Sequence, residues 1–156
     1  MTEAVPKERF VYQCALRWSD LDAFGHVNNA RYLTLLEEAR AALLFLGAAA
    51  DGVEAFSAGV VIARHEIDYL RPVGYVVRER GQQVPTVRVE LWVTDLRPSR
   101  FTIGYELFDG ETLACRARSV LVPFDLDRQR PRRLTEAEMT FLMPYTVPSA
   151  DSGSGE

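Results

Sequence analysis

A chain of 156 residues, 47% of them apolar and 26% charged, fits one soluble globular domain that can bury a core without metal or disulfide staples. A formal charge of −4 runs against a general nucleic-acid binder, which carries a strong basic excess, and no apolar run approaches the ~20 residues that cross a bilayer. Cys14 and Cys115 lie far apart in apolar segments and read as buried, reduced thiols; with no leader-like apolar stretch at the start, the chain reads as cytoplasmic.

Residues 1–8 and 147–156 read as flexible ends, because neither has apolar surface to bury. Between them one domain is expected over residues 9–146. The first strand is placed at Phe10 to Trp18. A long helix follows from Asn29 to about Leu46, where Tyr32, Leu36, Ala39, Leu43 and Leu46 draw one apolar stripe. Leu33, Leu35 and Leu44 widen it, so burial on more than one face is expected. Asn28 or Asn29 can cap the start and Gly47 can end it, with Glu37 and Arg40 pairing on the exposed side.

After the loop around Asp51-Gly52 the apolar period changes to two. Val61, Ala63, Ile67 and Tyr69 alternate with charged residues and stop at Arg71-Pro72; a short extended segment from Tyr75 to Arg80 comes next. Val87 to Val93 and Phe101 to Leu107 each read as strands with one face on a core, separated by a turn at Pro98. Asp109-Gly110 predicts a two-residue hairpin turn, and a last strand runs from Thr112 to Phe124. A short helix at about 134–143 opens on the capping box Thr135-Glu136-Ala137-Glu138. Tight connections make antiparallel neighbours, and only the Asn29–Leu46 helix is long enough to cover their apolar face. The expected class is α+β: an antiparallel sheet of five to six strands wrapped around one central helix.

The densest polar cluster, Arg17 to Asn29, sits at the entry to that helix and contains Asp20, Asp22, His26, Asn28 and Asn29. A helix start offers unpaired N–H groups and partial positive charge, which can stabilise an oxyanion. A nearby carboxylate can attack an acyl carbon or draw a proton from water.

The stretch from Asp22 to Arg40, with Asp22, His26-Val27-Asn28-Asn29, Tyr32, Glu37 and Ala39-Arg40 at the signature positions, resembles the hotdog-fold acyl-CoA thioesterases. Specifically it resembles the long-chain acyl-CoA thioesterase branch of the 4-hydroxybenzoyl-CoA thioesterase-like superfamily. The segment Ile67-Asp68-Tyr69-Leu70-Arg71-Pro72-Val73 also resembles that family's second strand. The resemblance covers about residues 9–125. It implies a hotdog fold and Asp22, rather than Asp20, as the carboxylate that acts as nucleophile or general base. It also implies an oxyanion donor at the helix N-terminal N–H near Asn29, an acyl-CoA substrate, and a homodimer or homotetramer. The benzoyl-type branch carries Pro-Ala after this aspartate and has no histidine at position 26; Ala23-Phe24 and His26 lean towards fatty-acyl substrates.

Asp22, His26 and Asn29 are therefore the candidate catalytic residues, and Asn28, Tyr32 and Glu37 the candidate substrate-binding ones. Each has a plainer role beside this: capping for Asn28 and Asn29, packing for His26, core packing for Tyr32, and a salt bridge with Arg40 for Glu37. No metal or cofactor is expected, since Asp22, His26, His65 and Glu66 make no convincing ligand set. The run Arg128 to Arg133 reads as a solvated loop before a phosphate site. Besides acyl-CoA hydrolysis, an acyl-carrier-protein thioesterase, a hydratase or dehydratase, and a non-catalytic acyl-CoA-binding hotdog protein remain alternatives.

Overall fold

The computed structural model describes residues 8–148 apart from 51, 53 and 55. Of the expected flexible ends 1–8 and 147–156, residues 1–7 and 149–156 lie outside the described residues, as does Asp51 of the expected loop. Val147 is buried with its N–H on the Val93 carbonyl at 2.9 Å, so the tail does not begin there. Strand β1 (Phe10–Ala15) leads through a 3₁₀ turn (Trp18–Asp20) to helix α1 (Asn29–Ala41). The helix continues through a π-helical turn (Ala42–Gly47) into α2 (Ala48–Ala50). Strands β2 (Val60–Tyr69), β3 (Thr86–Arg97), β4 (Arg100–Asp109) and β5 (Thr112–Asp125) follow, then the two-residue β6 (Arg130–Pro131) and helix α3 (Glu136–Leu142).

The strands form one antiparallel sheet in the order β1-β3-β4-β5-β2, with β6 on β5. The sheet curls around the long helix, as the hotdog reading expects. Alternation decides which side faces it. Val87, Val89, Leu91 and Val93 of β3 and Phe101, Ile103, Tyr105 and Leu107 of β4 are buried in the same core as Tyr32, Leu35, Leu36, Ala39 and Leu43 of the helix. On the opposite face Trp92 lies flat over Gly104, where any Cβ would fall 2.5 Å from the indole, and Arg9 stacks on it at 4.3 Å. Arg9 also pairs with Glu90 and Glu106, so this outer face is charged and self-compensated.

Several expectations need correction. The helix does not stop at Gly47. Its wide π turn shifts the apolar stripe, so Leu44 and Ala48 are buried while Leu46 is 70% exposed. Arg40 is not on the exposed side: it is only 7% exposed, donates to the Tyr105 hydroxyl at 3.0 Å, and reaches Glu37 at 3.6 Å. Tyr75 to Arg80 is no strand, since among the described residues it finds no ladder partner, and Val76 and Val77 stay exposed. Trp18 leaves β1 for the 3₁₀ turn. The register shifts between Leu107 and Phe108, so the hairpin turns at Gly110-Glu111 with Asp109 still paired to Thr112 and Gly110 at φ +62°. The capping box is present as expected: Thr135 and Glu138 each bond the other's N–H.

Candidate active site

Two short antiparallel bridges build the loop before α1. Leu21 pairs with Val27 and His26 with Gly74, while the Val27 N–H donates to the Val73 carbonyl at 2.8 Å. The stretch from Asp22 to His26 is therefore pinched shut at its base, with the Asp22 N–H on the His26 carbonyl at 2.7 Å. Gly25 closes the turn at φ +77°, a left-handed conformation that glycine adopts without strain.

The Asp22 carboxylate is oriented by the loop it sits in. Its Oδ1 accepts the Phe24 N–H at 2.8 Å and the His26 N–H at 3.2 Å. Its Oδ2 has no donor among the described residues, and the side chain is half-buried. One oxygen is held and the other is free to act on a ligand or a water. Asp20 differs in kind. It is 2% exposed, takes the Arg17 N–H at 2.8 Å and the Arg17 guanidinium at 3.3 Å, and its carbonyl receives the Asn28 N–H. Asp20 braces the loop.

Asn28 caps α1, its Oδ1 accepting the Ala30 N–H at 2.9 Å and its carbonyl the Arg31 N–H at 2.8 Å. That second bond polarises the peptide joining Asn28 to Asn29 and strengthens the Asn29 N–H as a donor. The Asn29 N–H itself meets no acceptor among the described residues, as a first-turn amide need not. A held carboxylate and an open helix-start N–H thus share one loop, together with the exposed His26. That pairing suits attack on an acyl carbonyl with stabilisation of its oxyanion. Around it stand Trp18, packed on Tyr75 at 5.6 Å, and Phe24, which is 85% exposed.

The other candidates lie apart. Tyr32 is buried, edge-on to Tyr69 at 5.0 Å, and burial pushes its phenol up to about 12. Glu37 is exposed and eight residues along α1 from Asn29, about 12 Å by the helical rise. His65 bonds the buried Ser119 at 2.7 Å, and burial followed by the nearby Arg40 charge holds it below the ordinary histidine value. In the basic run Arg132 is a structural anchor, bidentate on Glu138 at 2.7 and 3.0 Å. No group of three or more His, Cys, Asp or Glu able to hold a metal lies among the described residues, and no helix there is long and apolar enough to cross a membrane. Reasoning from sequence missed Tyr69, whose hydroxyl donates to the Asn29 carbonyl at 2.7 Å. The strand alternation groups Tyr69 with Val61, Ala63 and Ile67, but nothing local in the sequence pairs it with Asn29.

A sequence model of the thioesterase-like superfamily matches residues 16–142. No curated protein matches. Among solved structures, a predicted thioesterase from Bacillus stearothermophilus shares 23% identity, with a TM-score of 0.76 over 92% of this chain and 100% of that one. A thioesterase from Thermus thermophilus, complexed with coenzyme A and Zn, shares 27% identity at a TM-score of 0.64, over 85% and 90% of the two chains. The 1,4-dihydroxy-2-naphthoyl-CoA thioesterase from Synechocystis, at 19% identity and a TM-score of 0.69, covers 87% of this chain and 96% of its own, and is a likeness of fold.

Proposed function

Because the chain belongs to the thioesterase-like superfamily, we propose that it hydrolyses an acyl-CoA thioester to free acid and CoA, with Asp22 as the working carboxylate. The observation that carries this reading is the Asp22 side chain, fixed through Oδ1 by two backbone amides and open at Oδ2, beside the unpaired Asn29 N–H. As a general base, Asp22 takes a proton from water while the oxygen bonds to the thioester carbon. As a nucleophile, it forms an acyl-enzyme anhydride that water then cleaves. In both routes the carbonyl oxygen becomes an oxyanion, the Asn29 N–H stabilises it, and collapse breaks the C–S bond so that CoA leaves as thiolate and takes a proton.

His26 contributes beside the reacting centre. Asn28 borders the reacting thioester, and Tyr32 and Glu37, farther along α1, are assigned to the more distant part of the substrate. A coenzyme A complex of a similar fold in Thermus supports CoA as the carrier. The exposed Trp18 and Phe24 beside the loop favour an apolar acyl group, fatty or aromatic.

Residues 9–146 act as one catalytic domain, since a single core cluster runs from Cys14 to Leu142. The working unit is a homodimer or homotetramer: β2 is an edge strand with Val61 and Ile62 exposed. Two free, buried thiols suit a cytoplasmic enzyme.

The reading is tested by thiol release from short-, medium- and long-chain acyl-CoAs, an aromatic acyl-CoA, and the matching acyl-carrier-protein thioesters. Turnover of the CoA esters above the carrier-protein esters supports it. Turnover of the carrier-protein esters alone reassigns the carrier. Tight acyl-CoA binding without thiol release replaces the enzyme with a sensor.

A further inference from the structure

Asn29 is gripped on the side opposite its reactive one. Its carbonyl accepts the Tyr69 hydroxyl at 2.7 Å, across a separation of forty residues and from the last residue of β2. The Tyr69 ring stands perpendicular to Tyr32 at 5.0 Å, and the Val73 backbone bonds the Tyr32 phenol. Val73 in turn receives the Val27 N–H. The end of β2 and the segment after it are thereby tied to the first turn of α1 at Asn29 and Tyr32, and to the loop just before its cap at Val27.

The Tyr69 bond is not needed to satisfy either group. A first-turn carbonyl already has its partner one turn along the helix, and a hydroxyl on a 46% exposed ring has water available. What the bond adds is position. It holds the Asn29 carbonyl, and so the residue, against the end of β2, and thereby places the N–H that Asn29 carries in the preceding peptide. Burial, and then Cys115, raise the Tyr69 phenol above its ordinary value of 10, so it remains a donor through the neutral range.

We propose that Tyr69 is a positioning residue for the thioesterase reaction: through the Asn29 carbonyl it aims the Asn29 N–H at the site of the oxyanion. This rests on the thioesterase reading above. Oxyanion donors work within a narrow range of distance, and a misplacement of about 1 Å can lower a rate by up to about a hundredfold. The oxyanion exists only in the transition state, so the loss falls on kcat and leaves KM in place.

The test is Tyr69→Phe, which keeps the ring against Tyr32 and removes only the donor. Three quantities are read: steady-state thiol release, the backbone amide signal of ¹⁵N-labelled Asn29, and the thermal midpoint. The expected result is a kcat lowered about tenfold with KM within about twofold, a displaced Asn29 amide signal, and an unchanged midpoint. Kinetics equal to wild type overturn the proposal. So does a raised KM at unchanged kcat, which makes Tyr69 a substrate contact, and so does a lowered kcat with the Asn29 signal unmoved. Absence of thiol release from the wild type is a different failure, seen before any variant is made: it removes the thioesterase reading, and the positioning role with it.

Discussion

Glu138 is the most heavily bonded carboxylate among the described residues, and its replacement by glutamine makes a quantitative test of how the C-terminal helix is held. Its side chain is 3% exposed. It accepts the Phe56 N–H at 2.7 Å, the Thr135 N–H at 2.8 Å, and both terminal nitrogens of Arg132 at 2.7 and 3.0 Å. One carboxylate therefore joins the segment after α2, the chain after β6, and α3. Glutamine keeps the shape but presents an N–H₂ where an acceptor is required, and it leaves the Arg132 guanidinium, 15% exposed, without its counter-charge. Breaking a buried pair from one side costs about 3–5 kcal/mol. For a domain of this size each kcal/mol moves the midpoint by about 2–4 °C, so Glu138→Gln should melt roughly 6–20 °C below wild type at neutral pH. The pH dependence fixes the mechanism. Burial alone would raise this carboxyl, but the hydrogen bonds from Arg132, Thr135 and Phe56 and the Arg132 charge outweigh it, leaving it below the ordinary 4.5. A carboxylate held low in the native state contributes stability that is complete above 4.5 and is lost as pH falls through the native value. The gap between wild type and Glu138→Gln should therefore be full at neutral pH and close in strong acid, as followed by thermal melts monitored by circular dichroism. A midpoint within about 2 °C of wild type at neutral pH, or a gap that persists unchanged in acid, would refute the reasoning.

Two further outcomes are expected. Cys14 and Cys115 are buried, and burial in each case pushes the thiol up to about 12, so neither should react with a thiol reagent in the native protein while both should react in denaturant. Asn28→Ala removes the acceptor of the Ala30 N–H and should lower stability by about 1 kcal/mol in a urea titration, together with a fall in kcat from the loosened helix start; Asn28→Asp, which keeps the acceptor, should retain most of both.

Much of this architecture was legible from residue order, because most of its elements declare themselves locally. The alternation in β3, β4 and β5 sorts core from surface without reference to any other segment. The Thr135–Glu138 capping box is complete within four residues. The polar cluster ahead of α1 stands out because it interrupts an otherwise apolar entry into the core, and the structure brings Asp22, His26, Asn28 and Asn29 into that one loop. Other features depend on distant partners. Arg40 reads as a surface residue by its spacing from Glu37, yet Tyr105, sixty-five positions away, supplies the hydroxyl that lets it be buried. The π turn at Ala42–Gly47 leaves no mark in a run of Ala, Leu and Phe, so the stripe misplaces Leu46. Tyr75 to Arg80 has strand-like composition, but a strand is defined by a neighbour. Tyr69 and Asn29 meet only because β2 ends beside the start of α1.

The most direct test of the account is the rate of thiol release by wild type and Asp22→Asn on the best acyl-CoA of the panel. The asparagine can still accept the Phe24 and His26 amides through its carbonyl oxygen, so the loop should keep its shape while the carboxylate is lost. The account predicts an unchanged thermal midpoint and a loss of about a hundredfold in kcat/KM, about 3 kcal/mol of transition-state stabilisation. A variant that turns over within a fewfold of wild type would contradict it, and would move the search for the working carboxylate away from this loop.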